Sequence, residues 1–337
     1  MAIPSALEEQ GAQAGIQPLG GWRMVGARRE YSENPVGYAL SAHIPSRAAL
    51  DWLRRVRSVD RERELSGGWM SLSGWRAYDN IARRYDDVWG RRFEVVARHL
   101  WTVVSPAPGA SILDIGTGTG IVPSVLGVRL HGLSGVVGCD RSTGMLARAR
   151  VRVPVMRLVA AEATHLPFYD AAFDVATASF VLSHLPDYRA GLLEAHRVLK
   201  PLGIFAMTSW TPSTDPYSQA WGRLLAEAVS QHRLQQAVAQ VAPSEAYFES
   251  AANVEAAFKE AGFSGVEVHT LASEWTFSLE LFLADRELSS GGRFARHVLG
   301  TNAWEQFVAK AREALRRQFG SHFSYSRGFS IGLGRRA

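Results

Sequence analysis

The feature that most restricts the fold is a glycine-rich turn that directly follows a short β-run. The run Ser111–Ile115 favours a strand, and Gly116, Gly118 and Gly120 then occupy alternate positions before an apolar segment begins. Glycine lets the backbone adopt positive φ and approach a ligand closely, and such turns lie at the carboxyl edge of parallel sheets. The sequence therefore predicts an α/β protein with a ligand at this turn.

Strand and helix patterns alternate along the chain from this turn onwards. The predicted strands cover residues 111–115, 136–139, 155–159, 173–178, 203–209, 266–270 and 329–333. Helical patterns occur at 75–101, 143–152, 188–199, 217–241 and 253–261. Because alternation of this kind produces right-handed βαβ units and a parallel sheet, the pattern predicts a doubly wound α/β sheet covered by helices on both faces.

The same patterns predict an extension followed by one α/β domain. The extension covers 1–74, with a helix near 46–65, and the domain covers 75–337. Within the domain we expect the ligand-binding core at 105–210 and cap elements at 211–262 and 278–322, because these last two segments are mainly helical and longer than plain connections.

Composition excludes several classes of protein. Of the 337 residues 47% are hydrophobic and 20% charged, as in ordinary globular domains. The net charge of +5 comes from scattered arginines, so a nucleic-acid partner is not expected. No apolar run is long enough to span a bilayer, no secretory signal precedes the domain, and Cys139 is the single cysteine. We therefore expect a cytoplasmic monomer or homodimer that has no membrane partner.

The nature of the ligand follows from the residues around the glycine turn. A nicotinamide fingerprint has the form GxGxxG, whereas here Ile121 follows the third glycine, which arrives one position early. Asp114 at the strand end would repel a pyrophosphate but attract the ammonium group of a methionine moiety. Asp140, after the next strand, is placed to accept hydrogen bonds from ribose hydroxyls, as it would be in nicotinamide enzymes also. These features favour S-adenosylmethionine as the cofactor.

Five ordered motifs together resemble those of class I methyltransferases, in particular the ubiquinone/menaquinone-biosynthesis type. They are Ile112–Gly120, Asp140 with Met145, the segment Glu162–Phe168, Phe173 with Asp174, and Arg197–Gly203. A preceding helix with Tyr78, Asp79, Ile81, Ala82, Tyr85 and Asp86 is also similar to the one in that group. The sequence departs from the family pattern at Glu162, where Asp is usual, and at Leu202, where Gly is common.

The resemblance implies a doubly wound, mostly parallel seven-stranded sheet with an antiparallel last strand and a helical cap, and it also implies roles for the matching positions. The three glycines would line the methionine portion of the cofactor, Asp140 would bind the ribose, and Glu162 with Ala163 would contact the adenine edge. Met145 could cover one face of the adenine or simply fill the core. The predicted cofactor-binding set is completed by Asp114, Thr117, Arg141 and Ser179.

The predicted catalytic residues are His184, which follows the fourth strand, and Tyr85. As a general base, His184 would assist methylation of a hydroxyl group, and the alternative is a structural role in capping the next helix or packing beneath the cofactor. Trp89 and Trp210 are the predicted substrate-binding residues, because they could form an apolar wall. The remaining histidines lack metal-ligand spacing, so no metal is expected.

The predicted function is S-adenosylmethionine-dependent methyl transfer to oxygen or carbon of a small natural-product-like or quinone-like acceptor. One alternative is a protein that keeps the cofactor fold but has a non-methylating activity, such as a cyclase. An NAD(P)-dependent oxidoreductase is a weaker alternative, since no YxxxK motif occurs. Methylation of nucleic acid is disfavoured because the chain lacks an Asn-Pro-Pro-aromatic motif.

Overall fold

The computed structural model describes residues 77–213 and 215–337. The predicted extension 1–74 and its helix near 46–65 lie outside the described residues, so both stay predictions. The domain boundaries at 75, 211, 262, 278 and 322 also stay predictions.

The described residues form one seven-stranded sheet with the order β3-β2-β1-β4-β5-β7-β6. The strands are β1 (Ser111–Ile115), β2 (Gly135–Asp140), β3 (Arg157–Ala160), β4 (Phe173–Ser179), β5 (Leu199–Trp210), β6 (Phe263–Ser278) and β7 (His322–Arg336). The first five are mutually parallel, and β7 is antiparallel to both of its neighbours. The predicted fold class, with its antiparallel last strand, is confirmed.

Helices cover the sheet and the region beyond its carboxyl edge. They are α1 (Ala82–Val104), α2 (Ile121–Ser124), α3 (Thr143–Arg152), α4 (Tyr188–Val198), α5 (Pro216–Ala228), α6 (Gln231–Val241), α7 (Glu245–Phe248), α8 (Ala251–Glu260), α9 (Leu279–Leu288) and α10 (Ser290–Phe319), the last interrupted at Gly300. Single 3₁₀ turns occur at Tyr78–Asn80 and Leu182–His184. Across the described residues, no helix has the length and apolar character that a bilayer span requires.

The sheet has its topological switch point at β1, which lies between β2 and β4. Leu113 pairs with Val137 of β2 on one side and with Ala176 of β4 on the other. Connections leave β1 and β4 in opposite directions, so a crevice opens between their carboxyl ends. Below the crevice, the apolar stripe of α1 packs on the sheet, where Leu100 and Ile112 are fully buried.

The predicted helix 217–241 is wrong as a single element. The chain becomes extended at Val229 (φ −138°, ψ 135°), which separates α5 from α6. The reason is packing, because Val229 is 5% exposed and lies in the apolar core of the cap. The bend places its side chain in this core, and a continuous helix would direct the two segments along one axis instead.

The last two strands are much longer than the predicted segments 266–270 and 329–333. β7 pairs with β5 only from Phe329 onwards, whereas β6 and β7 remain paired as far as Ser278 and His322. They therefore extend beyond Trp210 as a two-stranded ribbon of about 25 Å. Phe277 and Phe323 on this ribbon pack into the core of the cap, which fixes α9 and α10 beyond the carboxyl edge.

Candidate active site

A cavity of about 1210 Å³ opens at the carboxyl edge of the sheet and continues between the cap helices. Its volume exceeds that of a typical single-ligand pocket, so it has room for a cofactor and a second molecule. Most of the predicted site residues line it, namely Tyr85, Trp89, Gly116, Gly118, Asp140, Arg141, Met145, Glu162, Ala163, Ser179, His184 and Trp210. Asp114, Thr117 and Gly120 do not.

The glycine turn has the backbone conformation that the sequence predicts. Gly116, Gly118 and Gly120 have φ values of 64°, 55° and 80°, which side chains other than glycine rarely adopt. A Cβ on Gly116 would lie 2.4 Å from a methyl carbon of Val181, so this position also requires close packing. At Gly118 a Cβ would meet no heavy atom nearer than 4.0 Å, because this glycine borders the cavity.

Asp140 ties the turn to the end of β2. Its Oδ2 accepts a hydrogen bond from Gly118 N at 2.9 Å, and its Oδ1 accepts one from Ser142 N at 2.8 Å. Burial raises the pKa of Asp140, while these two bonds oppose the shift. Both oxygens keep further lone pairs at the cavity wall, so the carboxylate is able to accept hydrogen bonds from a ligand.

The segment before the sheet also holds this site together, through contacts that the sequence did not reveal. Asp79 accepts hydrogen bonds from Gly144 N at 2.6 Å and from Ser142 Oγ at 2.9 Å. Asp86 accepts one from Thr119 Oγ1 at 2.5 Å and forms an ion pair with Arg152. The two aspartates thus hold the turns that follow β1 and β2. The resemblance in this segment was the signal that could have found them.

Asp114 lies beneath the turn rather than at the cavity wall. It is 1% exposed, and its Oδ1 accepts a hydrogen bond from Thr177 Oγ1 at 2.6 Å. Burial raises the pKa of Asp114 to about 6, against the effect of the Thr177 bond. Because β1 places the side chain of Asp114 inside the core, the expected attraction of a ligand ammonium group to Asp114 stays a prediction.

Thr117 and Gly120 also face the interior. Thr117 is 5% exposed, and its backbone N–H donates to the carbonyl of Cys139 at 2.9 Å. Gly120 precedes α2 and packs closely on Ala149, where a Cβ would lie 3.2 Å from the alanine side chain. Both residues therefore support the turn from the side that faces the core, and neither lines the cavity.

His184 lies in the 3₁₀ turn that follows β4 and lines the cavity. Its Nδ1 is 2.9 Å from the carbonyl of Val241, which can only accept a hydrogen bond, so the proton is on Nδ1 and the neutral ring has its lone pair on Nε2. Burial lowers the pKa of His184. The expected alternative of helix capping is wrong, because Asp187 caps α4 by accepting a bond from Ala190 N.

An aromatic wall runs from α1 to the ends of β4 and β5. Tyr85 and Trp89 pack edge to face at 5.0 Å, and Phe180 stacks on Trp210 at 4.2 Å. Phe93 bridges the two pairs, with ring centroids 5.6 Å from Tyr85 and 5.3 Å from Phe180. The sequence patterns did not predict that Phe93 and Phe180 belong to this wall, although Phe93 follows Trp89 at helical spacing.

Tyr85 cannot serve as a base at neutral pH. Burial raises the pKa of this phenol well above its ordinary value of 10.0, and the nearby Tyr78 adds to the shift. Tyr85 therefore stays protonated and can donate a hydrogen bond into the cavity. His184 is the better candidate for accepting a proton.

A second charged cluster closes the cavity on the cap side. Asp285 of α9 accepts a hydrogen bond from Trp89 Nε1 at 2.6 Å and pairs with Arg92 and Arg286. Burial alone would raise the pKa of Asp285, but the two guanidiniums together hold it well below its ordinary value. The cluster links α1 to the cap, and its members are too distant in sequence for any motif to indicate it.

No metal centre accompanies these residues in the parts of the chain that the structure describes. Within residues 77–213 and 215–337, no group of three or more His, Cys, Asp or Glu side chains is arranged to hold a metal ion. Besides the carboxylates, His184, Tyr78 and Tyr85 are side chains of the cavity lining that can exchange protons.

Comparison with known proteins identifies the family. Residues 113–207 match the family model described as a methyltransferase domain. Demethylmenaquinone methyltransferase of Beutenbergia cavernae is 37% identical over 150 residues, covering 43% of this chain and 61% of that protein. The enzyme of the same name from Corynebacterium kroppenstedtii is 37% identical over 165 residues, covering 44% of this chain and 68% of that protein. The chain belongs to the class I S-adenosylmethionine-dependent methyltransferases.

A solved structure agrees at the level of the fold. Phosphoethanolamine N-methyltransferase 2 of Haemonchus contortus, in complex with S-adenosyl-L-methionine, superposes with a TM-score of 0.50 at 19% identity, covering 78% of this chain and 60% of that one. The resemblance to quinone-biosynthesis methyltransferases is confirmed, as is S-adenosylmethionine as the cofactor. The cyclase and oxidoreductase alternatives are not favoured. The match with this chain covers less than two thirds of the length of the Beutenbergia relative.

Proposed function

We propose that this methyltransferase transfers the methyl group of S-adenosylmethionine to an oxygen or carbon atom of a small aromatic, quinone-like acceptor in a biosynthetic reaction. The observation that carries the proposal is the continuity of one cavity, which joins the glycine turn and Asp140 to an aromatic wall, with His184 between them. The relatives named demethylmenaquinone methyltransferase support a quinone-like acceptor.

The chain's own residues fit the cofactor. The open side of Gly118 allows the methionine portion to lie against the backbone, and the free lone pairs of Asp140 suit the two ribose hydroxyls. Glu162 and Met145 line the same end of the cavity, one as an acceptor for the adenine amino group and the other as an apolar surface. When bound, S-adenosylmethionine supplies a methyl group on a positively charged sulfur, which needs no further activation.

The acceptor end provides orientation and a base. Phe93, Phe180 and Trp210 form a continuous apolar surface against which a flat ring can be held in line for methylation. His184 accepts the acceptor's proton at Nε2, since Nδ1 is engaged with Val241 and burial keeps the ring neutral. Tyr85 supports the acceptor by donating a hydrogen bond.

Calorimetric titration tests the cofactor half of this proposal. S-adenosylhomocysteine is expected to bind at micromolar or tighter concentration, whereas NAD is expected not to bind. Binding of NAD alone would overturn the assignment. Transfer of labelled methyl from S-adenosylmethionine to a panel of hydroquinones, phenols, polyketide-like compounds and aliphatic amines then tests the acceptor class. Labelling confined to the aliphatic amines would exclude a quinone-like acceptor.

A further inference from the structure

One arginine interrupts an otherwise apolar row on β7. Side chains two apart on a strand share a face, and Phe323, Tyr325, Phe329 and Ile331 are all buried on the face that carries Arg327. Arg327 is the charged member of this row. It lies on the part of the ribbon that extends past β5, opposite Ser273 of β6, and it lines the cavity.

The guanidinium of Arg327 lies over the ring of Trp210, with Cζ 4.5 Å from the ring centroid. The Nε atom is buried and has no hydrogen-bond partner, and among the described residues no ion pair involves Arg327. Stacking on an indole stabilises a cation but leaves its in-plane N–H groups available. Trp210 therefore fixes the direction of the side chain, and the Nη groups, which donate to no other described residue, are available to a ligand in the cavity.

The neighbouring charges do not satisfy Arg327. Asp285 is already occupied by Arg92 and Arg286, which makes that cluster cationic overall. The charges of Glu245 and Glu249 also act on Arg327, but neither acid forms an ion pair with it, and burial raises the pKa of both. A half-buried guanidinium that lacks an acceptor at Nε is costly, and burial lowers the pKa of Arg327 accordingly. An anionic ligand would remove this cost.

We propose that Arg327 and Trp210 form a subsite for a carboxylate carried on the ring of the aromatic acceptor. The planar fork of the guanidinium matches a carboxylate in a bidentate arrangement, and the aromatic wall that ends at Trp210 holds the ring to which the carboxylate is attached. The inference rests on the proposed function and narrows its substrate class from neutral quinone-like molecules to aromatic carboxylates.

The test uses a matched pair of probes, 2-naphthoate and its neutral analogue 2-naphthylmethanol. Each is titrated by calorimetry into the full chain saturated with S-adenosylhomocysteine. We expect 2-naphthoate to bind at least about tenfold more tightly, since a charge-assisted bidentate pair is lost with the alcohol. In Arg327→Met this preference should disappear, and in Arg327→Lys part of it should return, because lysine keeps the charge but not the planar fork.

A control arginine on the same strand separates this effect from net charge. Arg335 is exposed and lies outside the cavity, so Arg335→Met removes one positive charge and should leave the preference unchanged. Unaltered affinity of Arg327→Met for S-adenosylhomocysteine shows that this variant is folded. Equal binding of the two probes by the wild type, or a preference that survives in Arg327→Met, would overturn the subsite. Failure of the wild type to bind S-adenosylhomocysteine would instead overturn the proposed function.

Discussion

Asp114 and Asp285 are both buried carboxylates, one in the cofactor half of the molecule (residues 77–210) and one in the cap half (residues 211–337). Asp114 has one hydroxyl partner, Thr177, and among the described residues its second oxygen has no hydrogen bond. Asp285 is held by Arg92, Arg286 and the indole of Trp89. Accordingly the pKa is raised at Asp114 and lowered at Asp285.

The difference follows from how each half assembles its polar groups. In the cofactor half, Asp140 at the cavity wall is held by the backbone N–H groups of Gly118 and Ser142. The cluster at Asp285 instead brings together side chains from distant segments of both halves, and its members Trp89 and Asp285 are 196 residues apart.

The largest expected effect is at His184, where the two halves meet, because its Nδ1 donates to Val241 at the end of α6. Asn at this position preserves a donor toward Val241 but lacks a base. We expect His184→Asn to lower kcat about a hundredfold to a thousandfold, as loss of a general base commonly does. Affinity for S-adenosylhomocysteine should stay within about twofold. The measurement is single-turnover methyl transfer to the acceptor found in the panel.

The pH profile gives the control for this variant. Since the pKa of His184 is lowered below 6.5, the wild-type kcat should be level above about pH 7 and fall as the pH drops through that pKa. His184→Asn should lack this acidic limb. His196 packs on Phe263 outside the cavity. The variant His196→Asn should therefore keep the wild-type kcat and its decrease at acidic pH. A rate in His184→Asn equal to that of the wild type would remove His184 from the mechanism.

The next largest effect is expected for the cluster that links α1 to the cap. Asp285→Asn leaves Arg92 and Arg286 without their counter-charge in a site where all three side chains are less than one fifth exposed. We expect a loss of about 3 kcal/mol in the free energy of unfolding, measured by urea denaturation.

An exposed ion pair on the same helix serves as the comparison. Glu280 pairs with Arg312 in a solvated position, so Glu280→Gln should cost about 0.5 kcal/mol or less. If both substitutions lowered the free energy of unfolding equally, the cluster at Asp285 would stabilise the protein no more than a surface ion pair does. The inference that this buried cluster holds α1 against the cap would then be wrong.

Much of the cofactor half was predictable because its information is local. The turn from Gly116 to Gly120 and the acid at Asp140 are contiguous motifs in which the residue type and the backbone conformation imply each other. The interior position of Asp114 was not predictable, because a sequence shows that an acid lies near the end of a strand but not which face of the sheet it occupies. The family resemblance supplied the element order, including the antiparallel β7.

The cap was predictable only in outline. The alternation of apolar side chains through Trp275 and Phe277 was available to extend β6, but the segment lies far from any motif and its partner strand was unknown. The break at Val229 is set by tertiary packing, which overrides helix propensity. Arg327 could have been noticed as a charge within an apolar row, once that row was extended to Phe323.

Asp140 tests whether the cofactor half depends on its backbone hydrogen bonds. Asp140→Ala removes the acceptor of both Gly118 N and Ser142 N, together with the oxygens available to a ribose. We expect the affinity for S-adenosylhomocysteine to fall about a hundredfold by calorimetry. Asp174 at the opposite edge of the sheet also accepts a backbone bond, from Ser111, so Asp174→Ala should lower stability but leave the affinity unaltered. Equal losses of affinity would indicate a general effect of unfolding.

The smallest expected effect is a pH-dependent one at Asp114. Burial raises its folded-state pKa to about 6 from 3.8, so the folded protein binds more protons than the unfolded chain between these values. The contribution of Asp114 to the free energy of unfolding is therefore fully present below pH 3.8 and is lost as the pH rises through about 6. The variant Asp114→Asn provides the reference, because it keeps an acceptor for Thr177 and does not ionise.

The free energy of unfolding of the wild type relative to Asp114→Asn should therefore fall by about 2 kcal/mol between pH 4 and pH 8. Denaturation at a series of pH values measures this difference, and a difference that rises with pH would mean that a cation of the chain stabilises Asp114 as it does Asp285.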